Sequence, residues 1–137
     1  MVTIVKDILE VAKALLGMKE SMQKANKQKR DEMADYFKSI SVCLDETYKS
    51  LAAGAVPYGR CAELRHYGEI LPEVVKNYVE DKRAWELAEM LKRSHKVEGL
   101  WEQFNIDPEK AKDLPVILES SGLFLAISNS IKAGYKP

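Results

Sequence analysis

The residues of this sequence best suited to chemistry are two histidines, two cysteines and the carboxylates near them. Glu63 and His66 are separated by two residues, so on a helix they would lie one turn apart on the same side. Di-iron sites in helical bundles use this Glu-x-x-His pattern, but they need a second such pair and two further glutamates. The other histidine, His95, is preceded by Lys92 at the corresponding position. We therefore interpret Glu63 and His66 as parts of a solvated helix surface and predict no metal site.

The cysteines and histidines are also the residue types that zinc accepts, but their spacing argues against a zinc site. Cys61 and His66 would point to different sides of one helix. Cys43 and Cys61 both fall on apolar seams, where cysteine behaves as a small buried hydrophobe. Because neither belongs to a C-x-x-C pair, we predict two core cysteines in a reducing, cytoplasmic compartment.

Other kinds of active site find little support in the sequence. No glycine falls in a phosphate-binding motif, and no recognisable nucleophile signature is present. Lys plus Arg and Asp plus Glu number 21 each, so the net charge is zero, and the basic stretch Lys24 to Arg30 is flanked by acidic residues. We predict no cofactor, no nucleic acid and no catalysis. An alternative is a ligand or metal pocket inside a bundle, with Glu63, His66 or His95 as its polar groups.

The first half of the chain has the apolar spacing of a long amphipathic helix. The seam shifts phase between residues 26 and 32, which predicts a local unwinding or a break. An unbroken helix from Thr3 to Ala53 would be about 75 Å long, too long for a compact domain of this size. Either the chain folds back near this point, or residues 1–25 project as an arm that buries its seam against another molecule. The predicted interface residues of that seam are Ile4, Ile8, Val11, Leu15, Met18 and Met22.

The second half is predicted to contain several shorter helices. Leu71-Pro72 should interrupt one helix and start another short one, which ends near Val79. A longer helix should run from an Asp81 cap to Phe104, with a further start at Asp107-Pro108 and a restart at Asp113-Leu-Pro115. The last helix, Pro115 to Ala133, is apolar nearly all round, which predicts a central, buried helix. Its uncharged run, Ser120 to Ile131, is too short to predict a membrane span.

Together these features predict a single all-α domain over residues 1–137, a bundle of about four to six helices. The predicted function is a non-catalytic interaction or oligomerisation module, an adaptor or scaffold whose partner is a second copy or another helical protein. Besides the ligand-binding alternative, the N-terminal amphipathic helix could hold the protein at a membrane surface.

Overall fold

A computed structural model describes residues 3–55, 57, 59–93, 109 and 112–136. Six α-helices lie in this part of the chain: α1 (Thr3–Gly17), α2 (Lys19–Gln23), α3 (Lys27–Ala52), α4 (Arg60–Val74), α5 (Asp81–Arg93) and α6 (Leu114–Ala133). No strand occurs among the described residues. All six helices contribute side chains to one hydrophobic core. The predicted all-α bundle is therefore confirmed.

The long N-terminal helical segment is broken twice. The first break, at Gly17 and Met18, was not predicted. The second follows α2, where Asn26 caps α3 by accepting a hydrogen bond from the Lys29 amide at 2.9 Å. This cap lies at the edge of the predicted phase shift, and an Asn side chain at this position satisfies an amide that has no partner within the helix. As a result α1 folds back and packs against α5 and α6.

The arrangement of the helices is built on the pair α3 and α6. These two helices share the most extensive contact of the fold, and α1, α2 and α4 pack against them. Arg30 contacts Lys132, while Ser41, further along α3, contacts Ser121. Residue numbers therefore rise along α3 as they fall along α6, which makes the pair antiparallel.

Hydroxyl groups join α3 to α6. Ser41 donates to the Ser121 carbonyl and Ser121 donates to the Ser41 carbonyl, each at 2.8 Å. Further along, Ser128 donates to the Ala34 carbonyl at 2.7 Å. A serine side chain is short, so its hydroxyl reaches the backbone of a neighbouring helix only when the two helices approach closely. Small side chains are therefore required along this contact.

The prediction for Pro72 is wrong. α4 continues through Pro72 to Val74 instead of stopping at Leu71. Pro72 lies in the last turn, where its missing N–H removes only the bond to Gly68 and few residues remain to be disturbed. The chain then turns through Asn77, whose φ of 77° is left-handed. Asn tolerates this conformation better than most residues, and no separate helix forms up to Val79.

The predicted boundaries in the last third are partly confirmed. α5 begins at Asp81, but its predicted continuation to Phe104 and the start at Asp107-Pro108 lie outside the described residues. α6 begins at Leu114, with Pro115 in its first turn, and ends before Gly134, whose φ is 81°. These are the restart and the end that the sequence predicts.

Close packing of α4 on α5 depends on Gly68. A Cβ atom there would lie 2.7 Å from Lys92 Cγ and 2.8 Å from the Lys92 backbone nitrogen. Because the backbone of α5 cannot yield without separating the helices, Gly68→Ala should lower the free energy of unfolding by about 1–2 kcal/mol, after the gain in helix propensity is subtracted. Chemical denaturation of the variant measures this loss.

Gly17→Ala is the matched control, because no atom lies within 4 Å of a Cβ at that position. It should match the parent or exceed it by a few tenths of a kcal/mol. A Gly68→Ala variant as stable as the parent would contradict the proposed role of this contact.

Candidate interaction surface

The predicted Glu-x-x-His pair lies on the outside of α4. Glu63 is half-buried and accepts from Arg60 at 2.9 Å, and Arg60 also contacts Glu46 of α3 at 2.8 Å. His66 is exposed beside Tyr67, and His95 lies outside the described residues. Among the described residues no group of three potential ligands could hold a metal ion. Glu63 therefore helps to tie α4 to α3.

A hollow of about 350 Å³ between α3 and α4 is lined in part by Cys43, Glu63 and Tyr67. Cys43 is buried, and its thiol donates to the Arg60 carbonyl at 3.4 Å. This agrees with the core position predicted for Cys43, whereas the side chain of Cys61 lies outside the described residues. The Tyr36 hydroxyl donates to the carbonyl of Tyr67, one of the lining residues. These contacts hold α3 and α4 together, and we call them the α3–α4 joint.

The predicted interface residues on the N-terminal seam lie against the chain's own helices. Four of them, Ile8, Val11, Leu15 and Met22, are completely buried. The other two, Ile4 and Met18, are partly buried and pack against the same core. An interface through these six residues stays a prediction, and it would require α1 and α2 to leave the bundle.

An exposed apolar surface instead lies on α6, which is not buried all round as the sequence predicts. Leu118 and Leu125 each expose 41% of their surface. Between them, no atom lies within 4 Å of the point where Gly122 would carry a Cβ. Only 39% of the most apolar stretch of α6 is buried. Among the described residues, α1, α2 and α3 contact α6 without surrounding it, so its apolar character extends to the surface.

The same side of the molecule includes one exposed apolar residue of α3. Val42 follows Ser41, which contacts α6, and lies in the middle of the exposed arc of α3 at 47% exposure. Successive residues of a helix are rotated by about 100°, which places the buried residues of α3 and α6 on the core side of the pair. The exposed residues of both helices therefore share the opposite side. We call this second side the outer face, defined by Val42, Leu118, Gly122 and Leu125.

By length and composition alone, α6 is also the one helix of the described chain that could cross a membrane. The core helix of a soluble bundle meets the same criterion. The hydroxyls of Ser121 and Ser128 are satisfied by α3, and α6 contacts α1, α2 and α3. These contacts account for its inward side, and the outer face remains.

No protein-family model, curated protein or solved structure matches this chain. The geometry of the chain's own residues therefore carries the functional interpretation. Within that geometry, the outer face brings together three exposed large apolar residues, Val42, Leu118 and Leu125.

The free energy of unfolding at alkaline pH should depend on the Tyr36 phenol, which lies between α3 and α4. Burial, and to a smaller extent the nearby Tyr67, raise the pKa of the Tyr36 phenol well above its ordinary value. A raised pKa means that the folded state keeps the proton that the unfolded state loses above about pH 10. The free energy of unfolding should therefore fall as the pH rises above about 10, and denaturation series at neutral and alkaline pH would show it.

Tyr36→Phe tests the origin of this fall. The variant should lose about 1 kcal/mol at neutral pH, because the bond to the Tyr67 carbonyl is gone, and should lose less than the parent between neutral and alkaline pH. An equally steep alkaline fall in the variant would assign the effect to other groups.

Proposed function

We propose that this chain is a non-catalytic helical interaction module whose binding surface is the outer face of α3 and α6. The observation that carries the proposal is the exposure of Leu118 and Leu125, two turns apart on α6, with an open position at Gly122 between them. Complete burial of a leucine side chain is worth about 1.5–3 kcal/mol. Covering the exposed part of both leucines would thus contribute on the order of 2 kcal/mol to association.

The shape of this surface suits a protein partner better than a small ligand. Small-molecule sites are concave and enclose most of the ligand, whereas Leu118 and Leu125 project from the outer side of a helix pair. Knobs and an open position on a helix are the elements of helix-to-helix packing. A helical partner could seat a side chain over Gly122 while covering both leucines.

The binding surface proposed here differs from the α1 seam that the sequence favours. The α1 seam is already covered by α5 and α6. The outer face needs no rearrangement of the bundle before it binds. We further propose a reducing, cytoplasmic setting, in keeping with a cysteine used as a core residue at position 43.

Affinity capture with the tagged chain tests the proposal. We expect the parent to retain one or more proteins, its own untagged copy included, that the double variant Leu118→Glu with Leu125→Glu fails to retain. Both substitutions replace exposed side chains, so the fold should survive, which circular dichroism and thermal unfolding would check.

The control is Ala62→Glu, an exposed position on α4 away from the outer face. It should retain the same proteins as the parent. Identical sets of captured proteins for the parent and the double variant would refute the outer face as the binding surface.

A further inference from the structure

We infer that the occupant of the outer face is a second copy of this chain, related by a two-fold axis that passes close to Val42 and Ser120. This inference rests on the proposed function, because it names the partner of the same surface. The inference is based on the register between α3 and α6. Because of this register, a single two-fold axis can place each helix antiparallel to its own copy with the apolar residues of both helices in contact.

The register is set by three contacts along the pair. Arg30 donates to the Lys132 carbonyl, Ser128 donates to the Ala34 carbonyl, and Ser41 and Ser121 bond to each other. Each step forward on α3 is matched by an equal step backward on α6, so Val42 lies level with Ser120. An axis that crosses α3 at Val42 therefore crosses α6 at Ser120.

The apolar residues of the outer face are self-complementary around this axis. With α6 antiparallel to its copy about Ser120, Leu118 lies opposite the partner's Gly122, and the symmetry repeats the contact. The Leu118 side chain of each copy would occupy the open position at Gly122 of the other copy, where no atom lies within 4 Å of a Cβ. On α3, Val42 would face the partner's Val42.

The charges of α3 are complementary around the same axis. Reading outward from Val42, the charged residues include the exposed Lys38 and Asp35 on one side, and the half-buried Asp45 and the exposed Lys49 on the other. An antiparallel copy places Asp35 opposite the partner's Lys49, and it places Lys38 level with the partner's Glu46, next to the partner's Asp45. The two-fold symmetry makes each pair twice.

The charges on the outer face would otherwise have few partners. Asp45 and Lys49 bond to each other at 2.9 Å, but Lys38 and Asp35 form no side-chain ion pair with any residue that the structure describes. Four charges beside the leucines also make a lipid surface the poorer occupant, because hydrocarbon offers them no compensation.

The size of the surface predicts a reversible dimer. α6 is about 30 Å long, and two helices side by side are about 20 Å wide, so each copy would bury about 600 Å². Stable interfaces bury about 800 Å² per partner. We therefore expect association that depends on concentration, with a dissociation constant in the micromolar range or weaker.

Sedimentation equilibrium of the full chain, from about 1 µM to about 1 mM, tests this inference across the affinities of weak specific interfaces. The parent should pass from monomer to dimer in this range. Leu118→Glu should weaken dimerisation at least tenfold, and Lys38→Glu several-fold. Ala62→Glu, on α4, should leave it unchanged.

Gly122→Ala gives a second, independent readout. The added methyl group would fill the position that receives Leu118 of the partner, so dimerisation should weaken. The same substitution replaces a mid-helix glycine at an open position, so thermal unfolding of the dilute monomer should shift upward. A merely structural role of Gly122 would not move the two measurements in opposite directions.

Cross-linking tests the position of the axis. Val42→Cys should form a disulfide-linked dimer rapidly under mild oxidation, because the residue would face its own copy. Ala62→Cys, equally exposed on α4, should not, and the parent under the same conditions reports any background from its native cysteines. A dimer that forms without Val42→Cys cross-linking would overturn the arrangement.

Other results separate this inference from the proposed function. A parent that stays monomeric at every concentration overturns the second copy as occupant, but proteins captured through Leu118 and Leu125 would still support the interaction module. Co-sedimentation of the monomer with phosphatidylcholine vesicles containing phosphatidylglycerol, lost in Leu118→Glu, would make a lipid surface the occupant and overturn both. A dimer unaffected by Leu118→Glu overturns this face as the dimer interface.

Discussion

The close approach of α3 to α6, held by the hydroxyls of Ser41 and Ser121, is the constraint on which the other features depend. Each serine bonds to the backbone of the opposite helix, so neither position has room for a larger residue. The contact fixes both the distance and the register of the two longest helices. Arg30 continues the same register by donating to the carbonyls of Lys132 and Ala25, which ties the end of α6 to the turn before α3. The outer face has its particular arrangement of leucines, glycine and charges because this register holds.

The described helices leave part of the apolar surface of α6 uncovered. The wide apolar face of α1 occupies one side of α6, and α3 occupies another. What remains uncovered is the outer side of α6, where Leu118 and Leu125 stay partly exposed. Within the described part of the chain, α6 is apolar on most sides but has helical neighbours on only some of them. A partner molecule is one way to cover the others.

The residues that first suggest chemistry serve mainly to join helices. Glu63 and Glu46 share Arg60, which links α4 to α3. Cys43 packs in the core behind the same contact, and the Tyr36 hydroxyl bonds to the Tyr67 carbonyl. A motif such as Glu-x-x-His gains a chemical role only where several like it converge. On α4, His66 faces solvent.

The sequence by itself determined the all-α class, the restart at Asp113-Leu-Pro115 and the end of α6 before Gly134, because caps, proline and glycine act within one or two turns. It also identified Ile8, Val11 and Leu15 as apolar seam positions of α1, and these are buried. The prediction from sequence failed at Pro72. The rule that proline interrupts a helix did not show that Pro72 lies in the last turn of α4, where a proline is tolerated. The tertiary structure alone decided which apolar side of α6 would be covered, because periodicity shows that a surface is apolar but not how many neighbours reach it. The pairing of Ser41 with Ser121 links residues distant in the chain, and no local pattern could indicate it.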